Sequence, residues 1–326
     1  MIAFITGGTG FIGSFLAQNL VEACHQVHCL VRQTSSLKWL QNLPVNYLYG
    51  DIFSGEALAE ALRDATHVFH LAGVTKELTN AAYFRANGEG TRAMLEACSR
   101  HAKNLERFVY VSSIAAAGPS NGKQPVTEAE APHPVSVYGK SKHAGELACA
   151  EFKARLPITI VRPPIVYGPR DRDVYEYFKQ VKLGIRLRPG RRERWTSMIH
   201  VHDLVRGIIA AGTHPKAAGE TYFLTNPQPY EWNQLGIAIA NAMGKKTISI
   251  TVPEAVTPAV AAISELVAKF TRKPALLNFD KIREMKQSGW AFSGEKAKHQ
   301  IGFETAISFE EGLKQTVEWY REHGWL

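Results

Sequence analysis

Cysteine is scarce in this 326-residue chain, and what there is forms no pattern. Cys24, Cys29, Cys98 and Cys149 are scattered without C-x-x-C or Cys/His ligand spacing. That argues against a disulfide framework or a metal site and predicts isolated buried thiols in a reducing cytoplasm. No secretory leader is expected either, because Met1 to Thr6 is an apolar strand-like run that leaves no room for a charged region, an apolar region and a cleavage site. No repeat or low-complexity tract occurs. No run suits a bilayer span: the most apolar stretch, Val252 to Phe270, is interrupted by Pro253 and Pro258 and carries Glu254, Glu265 and Lys269. Acidic residues are outnumbered 30 to 38, giving a net charge of +8. The basic residues are nevertheless dispersed, so no nucleic-acid partner is expected. The exception is Arg186, Arg188, Arg191, Arg192 and Arg194. These read as a solvated loop, the alternatives being a site for an anionic substrate tail or a contact with an acidic membrane surface.

What is present is a strand, a glycine turn and a helix in immediate succession. The run MIAFIT leads into Gly7-Gly8-Thr9-Gly10-Phe11-Ile12-Gly13 and then the helical SFLAQNLVEAC. Gly7 and Gly10 allow a tight turn and close approach of backbone N–H groups to a pyrophosphate. Gly13 lets helix and strand pack, and the helix N-terminus favours the anion. Further strand-like runs follow at Val27–Val31, Tyr47–Tyr49, Val68–Leu71, Phe108–Ser112 and Ile158–Val161, with helical stretches between them, including Glu56–Leu62 and Thr91–Arg100. Alternation of this kind predicts an α/β fold, a Rossmann doubly wound parallel sheet. Residues 1–168 are expected to form the dinucleotide-binding domain, with later segments returning to it. Residues 169–326, where turn signals such as Arg188-Pro189-Gly190 multiply, are expected to form mainly a smaller substrate-binding lobe over the carboxyl ends of the strands.

Tyr138-Gly139-Lys140-Ser141-Lys142 places a tyrosine and a lysine one above the other on a helix. A cation beside a phenol favours phenolate, so Lys142 is expected to lower the Tyr138 pKa and make it a general acid/base. The second strand ends Leu30-Val31-Arg32, and no acidic residue occurs between Glu22 and Asp51. A carboxylate at that strand end usually holds the ribose hydroxyls of NAD, whereas a basic residue accommodates the 2′-phosphate of NADP. Arg32, followed by Gln33, Thr34, Ser35 and Ser36, therefore favours NADP(H), with NAD(H) the alternative.

Taken in order, Thr6 to Gly13, Asp51-Ile52, His70-Leu71-Ala72-Gly73, Asn87, Val111-Ser112-Ser113, Tyr138 to Lys142, Arg162 to Pro169 and Ile199 to Leu204 resemble the successive signatures of the extended short-chain dehydrogenase/reductase family. Phe309 to Leu313 and Trp319-Tyr320-Arg321 resemble its last helix. The resemblance implies a catalytic set of Ser113, Tyr138 and Lys142, with no metal. It also implies a cofactor site in which Gly7, Gly10, Phe11, Ile12 and Gly13 hold the pyrophosphate and Asp51 and Ile52 meet the adenine. Leu71, Ala72 and Gly73 would lie along the pyrophosphate and ribose, with Pro163, Ile165 and Val166 beside the nicotinamide. Lys142 would also hold the nicotinamide ribose. Gly73 departs from the family, where a second alanine is more usual. Ser112 and Ser113 point in opposite directions at a strand end, and Ser113 is the one in register with the family's serine.

Nucleotide-sugar epimerases and dehydratases of that family usually carry an asparagine and an arginine where this chain has Ile165 and Thr196. The segment Ser112 to Ala117 lacks the carboxylates typical of dehydratases. It instead resembles the dihydroflavonol reductase and 3β-hydroxysteroid dehydrogenase branch. The expected activity is therefore NAD(P)-dependent interconversion of a secondary alcohol and a ketone on an apolar or aromatic small molecule, a nucleotide-sugar epimerase or dehydratase with tightly held NAD being the alternative. Val252 to Phe270 predicts a helix with a broad apolar surface that is buried, faces a dimer partner, covers an apolar substrate or touches a membrane peripherally. The resemblance further implies a homodimer through the helices near Thr91–Arg100 and Tyr138–Phe152.

Overall fold

The computed structural model describes residues 1–271 and 278–326. Its first half alternates as β1 (Ile2–Thr6), α1 (Phe11–Glu22), β2 (Gln26–Val31), β3 (Val45–Tyr49), α2 (Gly55–Arg63), β4 (His67–His70), α3 (Asn80–Phe84), α4 (Gly90–His101), β5 (Arg107–Val111), α5 (Ile114–Ala117), α6 (Val137–Phe152) and β6 (Ile158–Arg162). There follow β7 (Ile165–Tyr167), α7 (Tyr175–Lys182), β8 (Ile185–Pro189), β9 (Trp195–Thr196), β10 (Met198–His200), α8 (Val201–Thr213), β11 (Thr221–Phe223), β12 (Tyr230–Glu231), α9 (Trp232–Met243), β13 (Ile248–Val252), α10 (Thr257–Thr271), α11 (Phe279–Met285), β14 (Gly289–Trp290), α12 (Glu295–Ile301) and α13 (Phe309–Glu322).

A seven-stranded sheet runs in the order β11-β6-β5-β4-β1-β2-β3, with every pair parallel. This is a Rossmann-type doubly wound sheet. Strands β4 and β5 are buried along their whole length, since helices cover both faces, and that is why their central residues, Val68-Phe69 and Phe108 to Val111, are apolar without alternation. One core layer sets Phe15, Leu16 and Leu20 of α1 and Leu204 and Ile208 of α8 against the sheet. The other sets Leu58, Met94, Leu95 and Phe152 against its opposite face. The direction of winding reverses between β1 and β4, so the turns leaving these two strands part and open a crevice at the carboxyl edge.

The chain returns to the sheet after residue 168: α8 packs on α1 and β5, and β11 pairs with β6. A smaller core of Tyr167, Phe178, Leu235, Ile239, Phe309, Leu313 and Tyr320 holds the lobe together. Three expectations change here. Cys24, expected to be buried, is exposed in the turn after α1. The stretch 252–270 is helical only from Thr257, with Pro258 in the first turn, where its missing N–H removes no helical bond. Nor is that helix buried: Ile263, Leu266, Val267 and Phe270 are exposed. The arginine cluster is not one solvated loop either. Arg186 donates to Thr247 Oγ1 and Asn233 Oδ1, and Arg194 to Met285 O and Glu254 Oε1, leaving Arg191 and Arg192 as its exposed members.

Candidate active site

The glycine turn is shaped by close contacts. Gly7 has φ +75°, and a Cβ there would lie 2.8 Å from Ala72 N. A Cβ on Gly13 would lie 2.2 Å from Gly7 O and 2.8 Å from Gly8 Cα, so a side chain at 13 would push α1 off the turn. Gly10 caps α1 with no side-chain bond, and the first turn of α1 has no acidic residue. The first N–H groups of α1 are thus left for a ligand, and the helix end attracts negative charge. Leu71 and Ala72 border the same crevice: Leu71 N donates to Thr6 O, and Ala72 N to Thr6 Oγ1 at 3.2 Å. This cradle, which a Cβ would fill, fits the pyrophosphate of a dinucleotide.

A buried polar chain fixes that cradle. Thr6 Oγ1 meets His70 Nδ1 at 2.7 Å, His70 Nε2 meets Thr91 Oγ1 at 3.2 Å, and Thr91 Oγ1 donates to Asn87 O at 2.7 Å. Burial pushes His70 down to about 3, so its ring is a neutral connector. Asn87, in a π turn at 85–89 between α3 and α4, extends the connection. Its Oδ1 accepts from Val74 N at 2.9 Å, while Nδ2 donates to Val74 O and to Ser141 Oγ. Ser141 Oγ in turn donates to Tyr138 O at 2.7 Å. One asparagine therefore locks the loop after β4 to the helix bearing Tyr138. The same side chain accounts for Gly73, since an added Cβ would stand 2.6 Å from Asn87 Oδ1.

Beyond the second strand, Arg32 is exposed, and its backbone exchanges bonds with Ser35. Asp51 Oδ1 accepts from Phe53 N and Ser54 Oγ, which shapes the turn carrying Ile52. At the other end of the crevice, Pro163 O accepts from Ile114 N, and β7 begins at Ile165 with Val166 beside it.

Ser112 and Ser113 leave β5 in opposite senses. Ser112 Oγ donates inward to Glu146 Oε1 at 2.6 Å. Ser113 caps α5, accepting from Ala115 N, and lies near enough to the Tyr138 phenol for its hydroxyl to favour the phenolate. Ser113, Tyr138 and Lys142 are thus brought to one place, although the electrostatics differ from those expected. Lys142 Nζ donates to Val111 O at 2.8 Å and lies 4.5 Å from the centre of the Tyr110 ring. Tyr138, rather than being lowered, is pushed up to about 12: burial dominates, and Ser113 offsets it only in part. Burial lowers Lys142 to about 8 against the raising influence of Glu146. Lys142 is anchored on a backbone carbonyl, and dehydration dominates the setting of the phenol.

Sequence reasoning missed four side chains. Asp280 of α11 reaches the start of α6 and accepts from Val137 N at 2.7 Å and Tyr138 N at 3.3 Å. Ser136 Oγ accepts from Gly139 N, so the first three N–H groups of α6 are all satisfied and Tyr138 is held from outside its own helix. Glu284 lies on the same short helix, and its charge reaches the phenol. Glu146 is buried in a fork with Arg162, at 2.8 and 2.7 Å, tying α6 to the end of β6. The Asp280 contact joins positions 142 residues apart, and no local signal announces it. In the 199–204 motif, Asp203 is structural, accepting from Ala306 N and Ile307 N.

Comparison with known proteins places this geometry. The chain is 29% identical over 326 residues to a ceramide reductase of Caulobacter vibrioides, covering 100% of this chain and 96% of that protein. It is 30% identical to a putative dihydroflavonol 4-reductase of Synechocystis, covering 99% and 95%. Its fold matches the structure of a UDP-glucose 4-epimerase with UDP-glucose from Thermotoga maritima, with a TM-score of 0.81, 24% identity and 99% of both chains covered. The model of the NAD dependent epimerase/dehydratase family matches residues 3–224, and the chain belongs to that family as an NAD(P)-dependent enzyme of the extended short-chain dehydrogenase/reductase type.

Proposed function

We propose that the protein is an NADP(H)-dependent reductase that converts an apolar ketone to its secondary alcohol, with Tyr138 as proton donor. The observation that carries this reading is the setting of Tyr138. Its phenol is held protonated, and the lobe charges it feels most, Glu284 and Asp173, are negative. A protonated phenol is the form that carbonyl reduction draws on. Both carboxylates are paired with lysines, Asp173 with Lys76 and Glu284 with Lys281, so no unpaired cation is contributed there toward a nucleoside diphosphate. Arg194, one candidate for pairing with a diphosphate, is held by Glu254 and Met285 O. The names of the two reductase relatives support the same reading.

A bound reduced nicotinamide supplies the hydride. Tyr138 gives its proton to the carbonyl oxygen, and Ser113 donates a hydrogen bond to that oxygen as negative charge develops. Lys142, cationic below about pH 8, stabilises the phenolate left behind and holds the ribose. Gly7, Gly10, Phe11, Ile12 and Gly13 hold the pyrophosphate, and Asp51 and Ile52 hold the adenine. Leu71 to Gly73 and Pro163, Ile165 and Val166 line the remainder. Arg32, whose side chain has no hydrogen-bond or ion-pair partner among the described residues, pairs with the 2′-phosphate. A homodimer through α4 and α6, where Leu147 is exposed, belongs to the same reading.

The test is fluorescence titration of the purified protein with NADPH and NADH, after extraction to detect any dinucleotide already bound. Exchangeable NADPH bound at least tenfold more tightly than NADH, with that preference lost in Arg32→Ser, is the expected result; one charge-assisted pair is worth roughly 1.5–3 kcal/mol. Tightly retained NAD and epimerisation of a nucleotide sugar would replace this reading with that of an epimerase.

A further inference from the structure

We propose that the outer face of α10, with the loop bordering its start, docks on an anionic phospholipid bilayer. The helix is inside out for a water-exposed element. Its buried side carries small residues, Ala261 and Ala268, whereas Val260, Ile263, Leu266, Val267 and Phe270 face outward at helical spacing. Phe270 is 83% exposed and Ile263 64%. An ordinary amphipathic helix turns such side chains inward. Val256 before the helix and Phe279 at the start of α11 are exposed as well. A contiguous apolar surface of this kind marks an interaction site.

The surrounding charges select the occupant. The outward arc carries no acidic residue: Glu265 is turned to α11, where it accepts from Phe279 N, and Glu254 is paired with Arg194. The loop bearing Arg191 and Arg192 is tied to the start of the helix, since Gly190 N donates to Val252 O. Both arginines are exposed, and Glu193 is the opposing charge in that loop. Lys245 and Lys246 are exposed ahead of β13, itself carrying the exposed Ile248 and Ile250. Apolar side chains bordered by cations match an anionic lipid surface, into which a helix lies flat. At 15 residues α10 is about 22 Å long, too short to span a bilayer, and among the described residues no helix is long and apolar enough to do so. The docked face lies one helix from Tyr138, through the Glu265 contact with α11 and the Asp280 contact with α6.

The full-length protein is sedimented with vesicles of phosphatidylcholine alone and of phosphatidylcholine mixed with phosphatidylglycerol, at low and high salt. Expected are binding to the mixed vesicles, weakening with salt, a loss of roughly twentyfold in Arg191→Ala/Arg192→Ala, and abolition in Ile263→Glu/Phe270→Glu. Circular dichroism and thermal unfolding of these surface variants show that their fold is kept. Absence of binding to the mixed vesicles, or binding that survives Ile263→Glu/Phe270→Glu, overturns the proposal. So does a dimer seen by light scattering that the same double substitution dissociates, since the face then belongs to a second copy.

Discussion

Tyr138 and Lys142 have opposite responses to burial. The neutral form of each is favoured, which raises the phenol to about 12 and lowers the ammonium to about 8. Across the neutral range Tyr138 therefore keeps its proton, and the group that titrates is Lys142. Its cation is present below about pH 8 and lost above it, so kcat/KM for carbonyl reduction is expected to fall as pH rises through about 8. Steady-state rates across pH check this: Lys142→Arg should move the alkaline limb out of range, because a guanidinium keeps its charge. A limb unmoved in that variant would assign the titration elsewhere. Tyr138→Phe should lower kcat by about 100-fold or more while leaving dinucleotide affinity nearly intact, the loss expected when a general acid is removed. Equal losses in both would show that the phenol only shapes the site.

Helix ends divide the labour at the scale of elements. The start of α1 has no side-chain cap and no acid, and it faces the crevice, whereas the start of α6 is closed by Ser136 and by Asp280 from α11. One terminus is left for an anion and the other is filled from the lobe. Asp280→Ala should cost about 1 kcal/mol of stability, the ordinary cost of a lost cap, and should lower kcat more than it changes KM, because Tyr138 loses an outside support. Asp280→Asn, which keeps one acceptor, should recover most of the activity. Thermal unfolding beside steady-state kinetics separates these effects; an unchanged kcat in Asp280→Ala would make the contact purely structural. The glycine turn, the strands and the Tyr138 helix were legible because each is encoded within a few residues. The Asp280 cap was not, because it joins distant parts of the chain.

Buried polar groups dominate what the whole molecule does on acidification. His70 and His200 are both pushed down to about 3, while Asp171 is pushed up to about 7 despite two backbone N–H donors. Between about pH 4 and 6 the unfolded chain holds two histidine protons that the folded one does not. The folded chain holds one Asp171 proton that the unfolded one does not. These three groups by themselves leave a net excess of one proton in the unfolded state, and His67 and His202, also lowered by burial, add to it while the raised Glu128 opposes it, so stability is expected to fall on acidification across this range. Denaturant titrations across that range check the slope, and a flat profile would refute the account. Arg162→Met leaves the Glu146 carboxylate buried without its main partner and should destabilise by about 3–5 kcal/mol, whereas a loss below about 1 kcal/mol in the same titrations would show the pair to be dispensable.

The alternation of strands and helices, the glycine turn and the Tyr138 to Lys142 pair were legible in the sequence alone, because periodicity, glycine placement and i,i+4 spacing act over a few residues, whereas the order of the strands was set by pairings between distant segments. Tertiary structure alone decided the protonation of Tyr138, the anchoring of Lys142 on Val111 O, the engagement of Arg186 and Arg194, and the outward face of α10. Each of these depends on dehydration, or on a partner far away in the chain, and neither exists until the lobe has folded against the sheet.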